Sequence, residues 1–313
     1  MELLSRIFAS MPNALSEGIL WGIMALGVYV TYKLLDIADL SVDGTFALGG
    51  CVSSLLIAQG MPASGSAGIA LVTGALAGFV TGILHTKLKI PAILSGILTM
   101  LALYSINLRI LGGKTNQALP IFGDNTNRTL IDTVSLLLGT ERKASVFIFG
   151  VLLTSILILV LYWFFGTELG SIIRATGNNQ DMAKAMGGNT DTMKMIGLAL
   201  SNALVSLSGA VVAQSQRYGD VGMGTGAIVV GLASIIIGEV IFGRNRAFGT
   251  RLISVIAGSI IYRVVIAIVL ALGMNTNDLK LLSAMIVAIA LSAPVIGEKF
   301  RIYIHTHSHK QGE

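Results

Sequence analysis

Long apolar runs separated by short polar segments dominate this sequence. Nine of the runs are long enough for a helix that crosses a lipid bilayer, which needs about 20 residues. Only helices and closed barrels satisfy the backbone inside lipid, and runs of this length suit helices rather than strands. The pattern therefore predicts an all-α, polytopic integral membrane protein with about nine spans, in a range of eight to ten. The nine runs are residues 13–34, 44–60, 66–85, 91–112, 145–165, 195–213, 226–243, 252–273 and 279–297.

The composition agrees with a membrane protein. Hydrophobic residues make up 54% of the 313 residues and charged residues only 12%, and the mean hydropathy is +0.81. A soluble domain of this composition would expose large apolar patches. The 37 glycines and the aromatic content of 6% suit helices that pack closely in lipid through small side chains. We expect a single transmembrane domain over residues 1–313, with one cysteine, Cys51, and no internal disulfide.

The longest polar and charged segment, residues 167–194, lies between two predicted spans. Apolar residues at helical spacing indicate two short amphipathic helices, with Met182, Ala183 and Met186 on one face of the second helix. Glycines mark the corners between the helices. Two short helices on a membrane surface form a shape that another protein can bind.

The distribution of basic residues sets the orientation. If residues 167–194 face the cytoplasm, most lysines and arginines outside the spans lie on the same side, as the positive-inside rule requires. The tail at residues 299–313 is then cytoplasmic, and the N-terminus is external unless it folds back. Residues 113–144 form a long external loop, which serves as a docking surface, a lid or a passive surface helix. The excess of basic residues therefore follows the membrane and does not indicate nucleic-acid binding.

Two groups of four spans resemble an inverted repeat. Residues 13–112 and 195–297 each open with a span, pass through a polar break at 36–44 or 214–226, and continue with a glycine-rich span. An odd number of spans separates the groups, so they have opposite orientations in the membrane. In such proteins the substrate path lies between the two halves.

The first break carries three acidic residues, Asp36, Asp39 and Asp43. Carboxylates near the hydrocarbon are costly unless they cap a helix, form a pair or face water. We expect Asp43 to cap the helix that starts at Gly44, and Asp39 or Ser41 to cap a re-entrant turn. A role in lining a translocation path stays open beside this capping role. Whether the break lies in the cytosol or re-enters the membrane also stays open.

Charged residues within the spans give further candidates. Arg263 lies in the middle of a span, so it faces either a structural ion-pair partner or a wet pathway. Glu239 lies near the end of its span, where Arg244 or Arg251 is the expected partner.

The chain has no set of residues for catalysis. It lacks a phosphate-binding loop and a plausible serine, histidine and aspartate set, and we expect no metal site. The histidines 305, 307 and 309 alternate in a charged tail, which we expect to be solvated. The chain is therefore not expected to be an enzyme, and energy from a nucleotide must come from another subunit.

Two motifs in this sequence occur together and in a fixed order. The first, at the early break, is Asp39-Leu40-Ser41-Val42 followed by Ala47-Leu48-Gly49. The second, in the polar segment, contains Thr167, Gly170, Arg174-Ala175-Thr176-Gly177, Asn179, Met182-Ala183, Gly187 and Asn189-Thr190-Asp191. Together they resemble a known family, the permease subunits of binding-protein-dependent ABC importers of the branched-chain amino acid and ribose type, in which the first motif follows an early span and the second forms the cytoplasmic coupling loop.

The resemblance implies a transmembrane homodimer, or a heterodimer, in a bacterial cell membrane. It also implies two ATP-binding subunits, which bind ATP and contact the coupling loop, and an extracytoplasmic solute-binding protein. Residues 39–50 look most like a subgroup that imports aromatic amino acids such as tryptophan or tyrosine. The alternative is a secondary transporter driven by an ion gradient, which inverted repeats and membrane carboxylates also suit.

From these observations we select two sets of site residues. The candidates for coupling to the ATPase are Arg174, Gly177, Asn179, Ala183, Gly187 and Asn189. The candidates for the translocation pathway are Asp39, Ser41, Asp43, Thr45 and Arg263.

Overall fold

A computed structural model of the protein describes residues 2–119, 128–243, 246–274, 278, 281–288 and 292. This part of the chain is mainly α-helical. The helices are α1 Glu2–Tyr29, α2 Val42–Ala58, α3 Ala63–Thr86, α4 Ala92–Ile110, α5 Leu130–Leu138, α6 Arg142–Gly166, α7 Glu168–Asn178, α8 Gln180–Ala185, α9 Thr190–Gln216, α10 Ala227–Phe242 and α11 Phe248–Ala271. A π-helical turn, Val30–Leu34, extends α1.

Among the described residues, six helices are long and apolar enough to cross a membrane, whereas α2 and α10 are apolar but shorter. The expectation of a polytopic helical membrane protein is therefore confirmed, and each of the first eight predicted spans overlaps one helix. Residues 281–288 of the ninth predicted span are helical, and most of the rest of that span lies outside the described residues. The tail at residues 299–313 also lies outside them.

A small two-stranded sheet accompanies the helices. Strands β1 Asn116–Ala118 and β2 Tyr218–Asp220 pair antiparallel. Each strand has three residues, too few to show the alternation that identifies a strand in a sequence. The pairing ties the loop after α4 to the end of α9.

Helix α9 occupies the centre of the described bundle, packed against α1, α2 and α3. Gly74 and Gly78 of α3 lie directly on α9, where a Cβ atom added to Gly78 would stand 2.7 Å from the Cβ of Asn202. Serines on α9 donate hydrogen bonds to carbonyl groups of neighbouring helices, as Ser201 does to Gly27 at 2.7 Å. Small residues and short interhelical hydrogen bonds thus replace the hydrophobic driving force that lipid removes.

The first polar break turns back into the bundle. Helix α9 has 27 residues and is therefore about 40 Å long, with Asn202 near its midpoint. After the π-helical turn, Leu35 packs on Gly197, and Asp36 has a φ of 55°. The chain then returns toward the middle of α9, where Asp39 accepts a hydrogen bond from Asn202 at 2.7 Å. The break is re-entrant, and α2 begins near the centre of the bundle.

The second break meets the first one. After α9, the chain passes through β2 and a turn to Gly226, the N-cap residue of α10. The carboxylate of Asp43 accepts hydrogen bonds from the backbone N–H groups of Gly226, at 2.8 Å, and Ile228, at 2.9 Å. Helices α2 and α10 therefore begin side by side and run toward opposite ends of α9. We call this meeting point the half-helix junction.

The predicted cap of α2 is wrong. Helix α2 begins at Val42, its N-cap residue is Ser41, and within the described chain the Ser41 side chain makes no capping bond. Asp43 is the second residue of α2, and its side chain reaches the start of α10 instead. The carboxylate thus satisfies the free N–H groups of a helix that is 183 residues away in the sequence.

Candidate functional site

Polar caps define the shape of the loop between α6 and α9, which we call the α7–α8 loop. Thr167 accepts a hydrogen bond from the backbone of α7 at 3.4 Å. Asn179 does the same for α8 at 3.0 Å, and Asn189 for α9 at 3.1 Å. Thr167 and Asn179 each end one helix and begin the next, whereas Asn189 begins α9 after a short turn, and the predicted pair of short helices is present.

Gly177 brings the α7–α8 loop into backbone contact with the end of α1. A Cβ atom at this position would overlap the carbonyl oxygen of Leu34 and would stand 2.7 Å from the Cα of Leu35. Only glycine permits such an approach. The loop therefore rests on the π-helical turn, immediately before the re-entrant break.

The outer surface of the loop carries two exposed methionines. Met182 is 45% exposed and Met186 is 78% exposed, whereas Ala183 is buried at 4%. The expectation that these three residues share a face is therefore wrong, because Ala183 turns toward the protein and the methionines turn away. Methionine is flexible and apolar, which suits a surface that another protein covers.

The structure distributes the six coupling candidates among different roles. Gly177, Asn179, Gly187 and Asn189 shape the loop, and Gly187 does so with a φ of 84°. Ala183 packs inside, and Arg174 is exposed with its guanidinium 5.6 Å from the ring of Phe248 at the start of α11. The six candidates are therefore mainly residues that set the shape of the loop, and neither Met182 nor Met186 is among them.

Three of the pathway candidates form a packed polar cluster. Asp39 is 3% exposed, and its Oδ1 accepts hydrogen bonds from the backbone N–H of Ser41, at 2.9 Å, and from the hydroxyl of Ser41, at 2.6 Å. Its Oδ2 accepts the bond from Asn202. Thr45 donates to the carbonyl of Ser41 at 3.0 Å. These uncharged partners fasten the re-entrant break to α9, and Asp39 also forms the expected turn with Ser41.

Asn202 is a functional candidate that the sequence analysis missed. Its side chain binds Asp39 and also the carbonyl of Leu198, one turn earlier on α9, at 3.1 Å. A polar amide in the middle of an apolar run was the available signal, because such a group needs a partner in lipid.

The other two pathway candidates lie apart from that cluster. Asp43 lines a cavity of about 260 Å³ at the half-helix junction. Arg263 lies between α1 and α11, where it pairs with Glu17 at 3.2 Å and stands 4.1 Å from the ring of Trp21. The structure therefore does not bring the five candidates into one site.

Glu239 has an ion-pair partner that the sequence analysis did not name. Its carboxylate lies 2.8 Å from the ammonium of Lys33 in the π-helical turn. Arg244, one of the two expected partners, is outside the described residues. The pair joins the far end of α10 to the end of α1, so both halves of the bundle meet beside the α7–α8 loop.

The long loop over residues 113–144 is fastened to the end of α9. The side chain of Asp132 accepts a bond from Arg217 at 2.7 Å, and Arg142 donates to the carbonyl of Ser215 at 2.9 Å. Gln214 accepts a bond from the start of α5 at 3.0 Å. Residues 120–127 lie outside the described part. Helix α9 thus spans the distance between this loop and the α7–α8 loop.

This architecture defines a class of protein. Membrane-length helices in which two short helices begin near the centre, beside a polar cavity, are typical of transport proteins. The chain belongs to the family described as the permease component of branched-chain amino acid transport systems, whose model matches residues 10–291.

Two of the three relatives described next are permeases by name. A tyrosine transport system permease protein of Clostridioides difficile is 40% identical over 275 residues, which cover 88% of each chain. An uncharacterized protein of Rickettsia prowazekii is 29% identical and covers 90% of this chain and 96% of its own. The autoinducer 2 import system permease protein LsrC of Yersinia pestis is 26% identical over 70% of this chain and 58% of its own. No solved structure is a significant match.

Proposed function

We propose that this chain is the permease subunit of an ATP-driven importer in a bacterial cell membrane. It acts with a separate ATPase subunit, an extracytoplasmic solute-binding protein and a second permease copy, and it has no catalytic step of its own. The family and the name of the tyrosine permease relative support an amino acid as the cargo. Aromatic amino acids are the first choice, ahead of branched-chain amino acids.

The contact between Gly177 and Leu34 carries the proposal. In our scheme the α7–α8 loop faces the cytoplasm and binds the ATPase through Met182 and Met186. Because the loop rests on the π-helical turn, its displacement moves the end of α1 and the re-entrant break that follows. Asp39 binds that break to α9, so the motion reaches the middle of the membrane.

The six coupling candidates then have two functions. Gly177, Asn179, Gly187 and Asn189 set the shape that the ATPase recognises, and Ala183 supports that shape from inside. Arg174 connects the loop to α11 through Phe248. Among the pathway candidates, Asp43 lines the path at the half-helix junction, whereas Asp39, Ser41 and Thr45 hold its wall in place. Arg263 fixes α11 to α1.

The first experiment tests transport. The permease, its ATPase and its binding protein are reconstituted in liposomes, and uptake of labelled tyrosine, tryptophan and leucine is measured with ATP and with a non-hydrolysable analogue. We expect uptake of at least one of them that needs ATP and all three components. Uptake by the permease alone along an ion gradient would instead establish a secondary transporter.

The second experiment tests the orientation. The single cysteine, Cys51, is buried, so a Cys51→Ala background leaves Lys184→Cys as a unique label at an exposed position of α8. We expect a membrane-impermeant maleimide to react only after intact cells are opened. Labelling of intact cells would contradict a cytoplasmic α7–α8 loop.

A further inference from the structure

The cavity at the half-helix junction lies where α2 and α10 begin. It has a volume of about 260 Å³ and lies between the start of α2, the C-terminal half of α4 and the turn before α10. Its polar lining groups are Asp43, Tyr104, Asn107 and Thr225. The first turn of α2 and the turn that leads into α10 border the cavity, so it occupies the position at which broken helices in transport proteins bind their cargo.

One lining group has an unmet hydrogen-bonding capacity. Asn107 is fully buried, and its amide nitrogen donates to the carbonyl of Gly44 at 3.3 Å. Its Oδ1 is buried and has no hydrogen-bond partner among the described residues. That donation fixes the orientation of the amide, because the reverse assignment would face one oxygen with another. A buried acceptor without a donor costs about 1–3 kcal/mol, so its presence calls for an explanation.

The polar groups of the cavity favour a donor with positive charge. Asp43 supplies a carboxylate, Asn107 supplies the free oxygen, and the hydroxyl groups of Tyr104 and Thr225 can accept hydrogen bonds. The ring of Tyr104 offers a face to a cation. No lysine or arginine lines the cavity in the described part of the chain.

The attraction is moderate, because two helix N-termini lie beside Asp43. Each contributes a partial positive charge of about half a unit, and together they offset much of the carboxylate charge. A cation in the cavity can therefore bind several hydrogen-bond acceptors, but the net negative charge that attracts it is small. Such a site binds without trapping, which a conducting path requires.

We propose that this cavity is a transient binding site for the ammonium group of the transported amino acid. Asp43 and the Oδ1 of Asn107 accept hydrogen bonds from the ammonium, and Tyr104 faces it with its ring. This inference rests on the proposed function as an amino acid importer, and it adds Asn107, Tyr104 and Thr225 to the residues that contact the cargo.

The test uses a cysteine in the cavity. Thr225 lines the cavity and is exposed, and Thr225→Cys in the Cys51→Ala background places a thiol close to the position of the hydroxyl group. In the reconstituted complex, its reaction with a cationic aminoethyl methanethiosulfonate is compared with that of the anionic sulfonatoethyl reagent. Rates are normalised to Ser171→Cys, at an exposed position of α7. We expect a normalised preference for the cation of about tenfold, and protection by ethylammonium but not by propionate.

Two variants test the named groups. Asn107→Leu removes the free oxygen and should weaken ethylammonium protection by about tenfold to a hundredfold, the value of a hydrogen bond to a charged group. Tyr104→Leu, at an exposed position, should weaken it by about twofold to fivefold without disturbing packing. The second variant keeps the test valid if the first does not fold.

Several results would overturn the inference. These are equal normalised rates, no reaction with either reagent, equal protection by propionate, or full protection in Tyr104→Leu and in folded Asn107→Leu. Because the cysteine reports on the cavity directly, these results are independent of ATP-dependent uptake. Loss of wild-type uptake with an intact protection pattern would instead count against the proposed function.

Discussion

Replacing Gly177 by alanine is the sharpest test of how the α7–α8 loop meets the membrane helices. The substitution adds one methyl group to α7, a helix in which alanine is intrinsically favoured over glycine by about 1 kcal/mol. Helix propensity alone therefore predicts a more stable protein. The contact with the π-helical turn predicts the opposite.

The structure gives the size of the conflict. The added Cβ atom would lie 2.7 Å from the Cα of Leu35, about 0.7 Å closer than the 3.4 Å at which ordinary contact begins, and closer still to the carbonyl oxygen of Leu34. All these neighbours are backbone atoms, which cannot rotate away. Helix α7 must therefore move outward by at least about 0.7 Å, at a typical overpacking cost of about 1–3 kcal/mol.

The assay compares Gly177→Ala with Gly166→Ala. Gly166 lies at the end of α6, where an added Cβ atom has no neighbour within 4 Å. We expect a lower unfolding temperature for Gly177→Ala and an unchanged or higher one for Gly166→Ala. In reconstituted liposomes, Gly177→Ala should keep ATP hydrolysis but lose most of the uptake per ATP hydrolysed.

The two variants give a clear refutation. If Gly177→Ala melts at or above the wild-type temperature and transports with the wild-type ratio of uptake to ATP hydrolysis, the close backbone contact does not transmit motion. The scheme that links the α7–α8 loop to the re-entrant break would then be wrong.

Two further predictions concern the break and the loop. Asp39→Asn places a donor against the amide of Asn202, so it should lower the free energy of unfolding by about 1–3 kcal/mol. The double variant Asp39→Asn with Asn202→Asp should recover part of this loss. An unchanged free energy of unfolding in the single variant would contradict the pairing of Asp39 with Asn202. Gly187→Ala should lower the free energy of unfolding, measured by thermal denaturation, by about 1–2 kcal/mol because of the positive φ alone, since the added Cβ atom has no neighbour within 4 Å. Gly187→Asn should lower it less. Equal stability of the wild type and the two variants would refute backbone strain at this position.

The sequence was sufficient for features that depend on neighbouring residues. The spans follow from the length of apolar runs, and the two short helices between α6 and α9 follow from the polar segment that separates two spans. The re-entrant path of residues 35–41 was one of two open alternatives, because a polar break has the same composition at a membrane surface and inside the bundle.

Features that join distant segments could not be predicted. Asp43 reaches a helix start 183 residues away, and Lys33 pairs with a residue 206 positions away. From the sequence, Asp43 and Glu239 were both assigned to groups nearby in the chain, because no tertiary contact is known at that stage. Asn107 is also an amide within an apolar run, but its importance comes from an oxygen that has no donor among the described residues, and the sequence does not show this.

The half-helix junction also has a consequence for biogenesis. Helix α2 has 17 residues and α10 has 16, both shorter than the roughly 20 residues that cross a bilayer. During synthesis α2 leaves the ribosome long before α10, so the carboxylate of Asp43 has to remain without the backbone N–H groups of Gly226 and Ile228 that it finally binds. The start of α2 therefore lacks its final hydrogen-bond partners inside the lipid until the second half of the chain has been inserted.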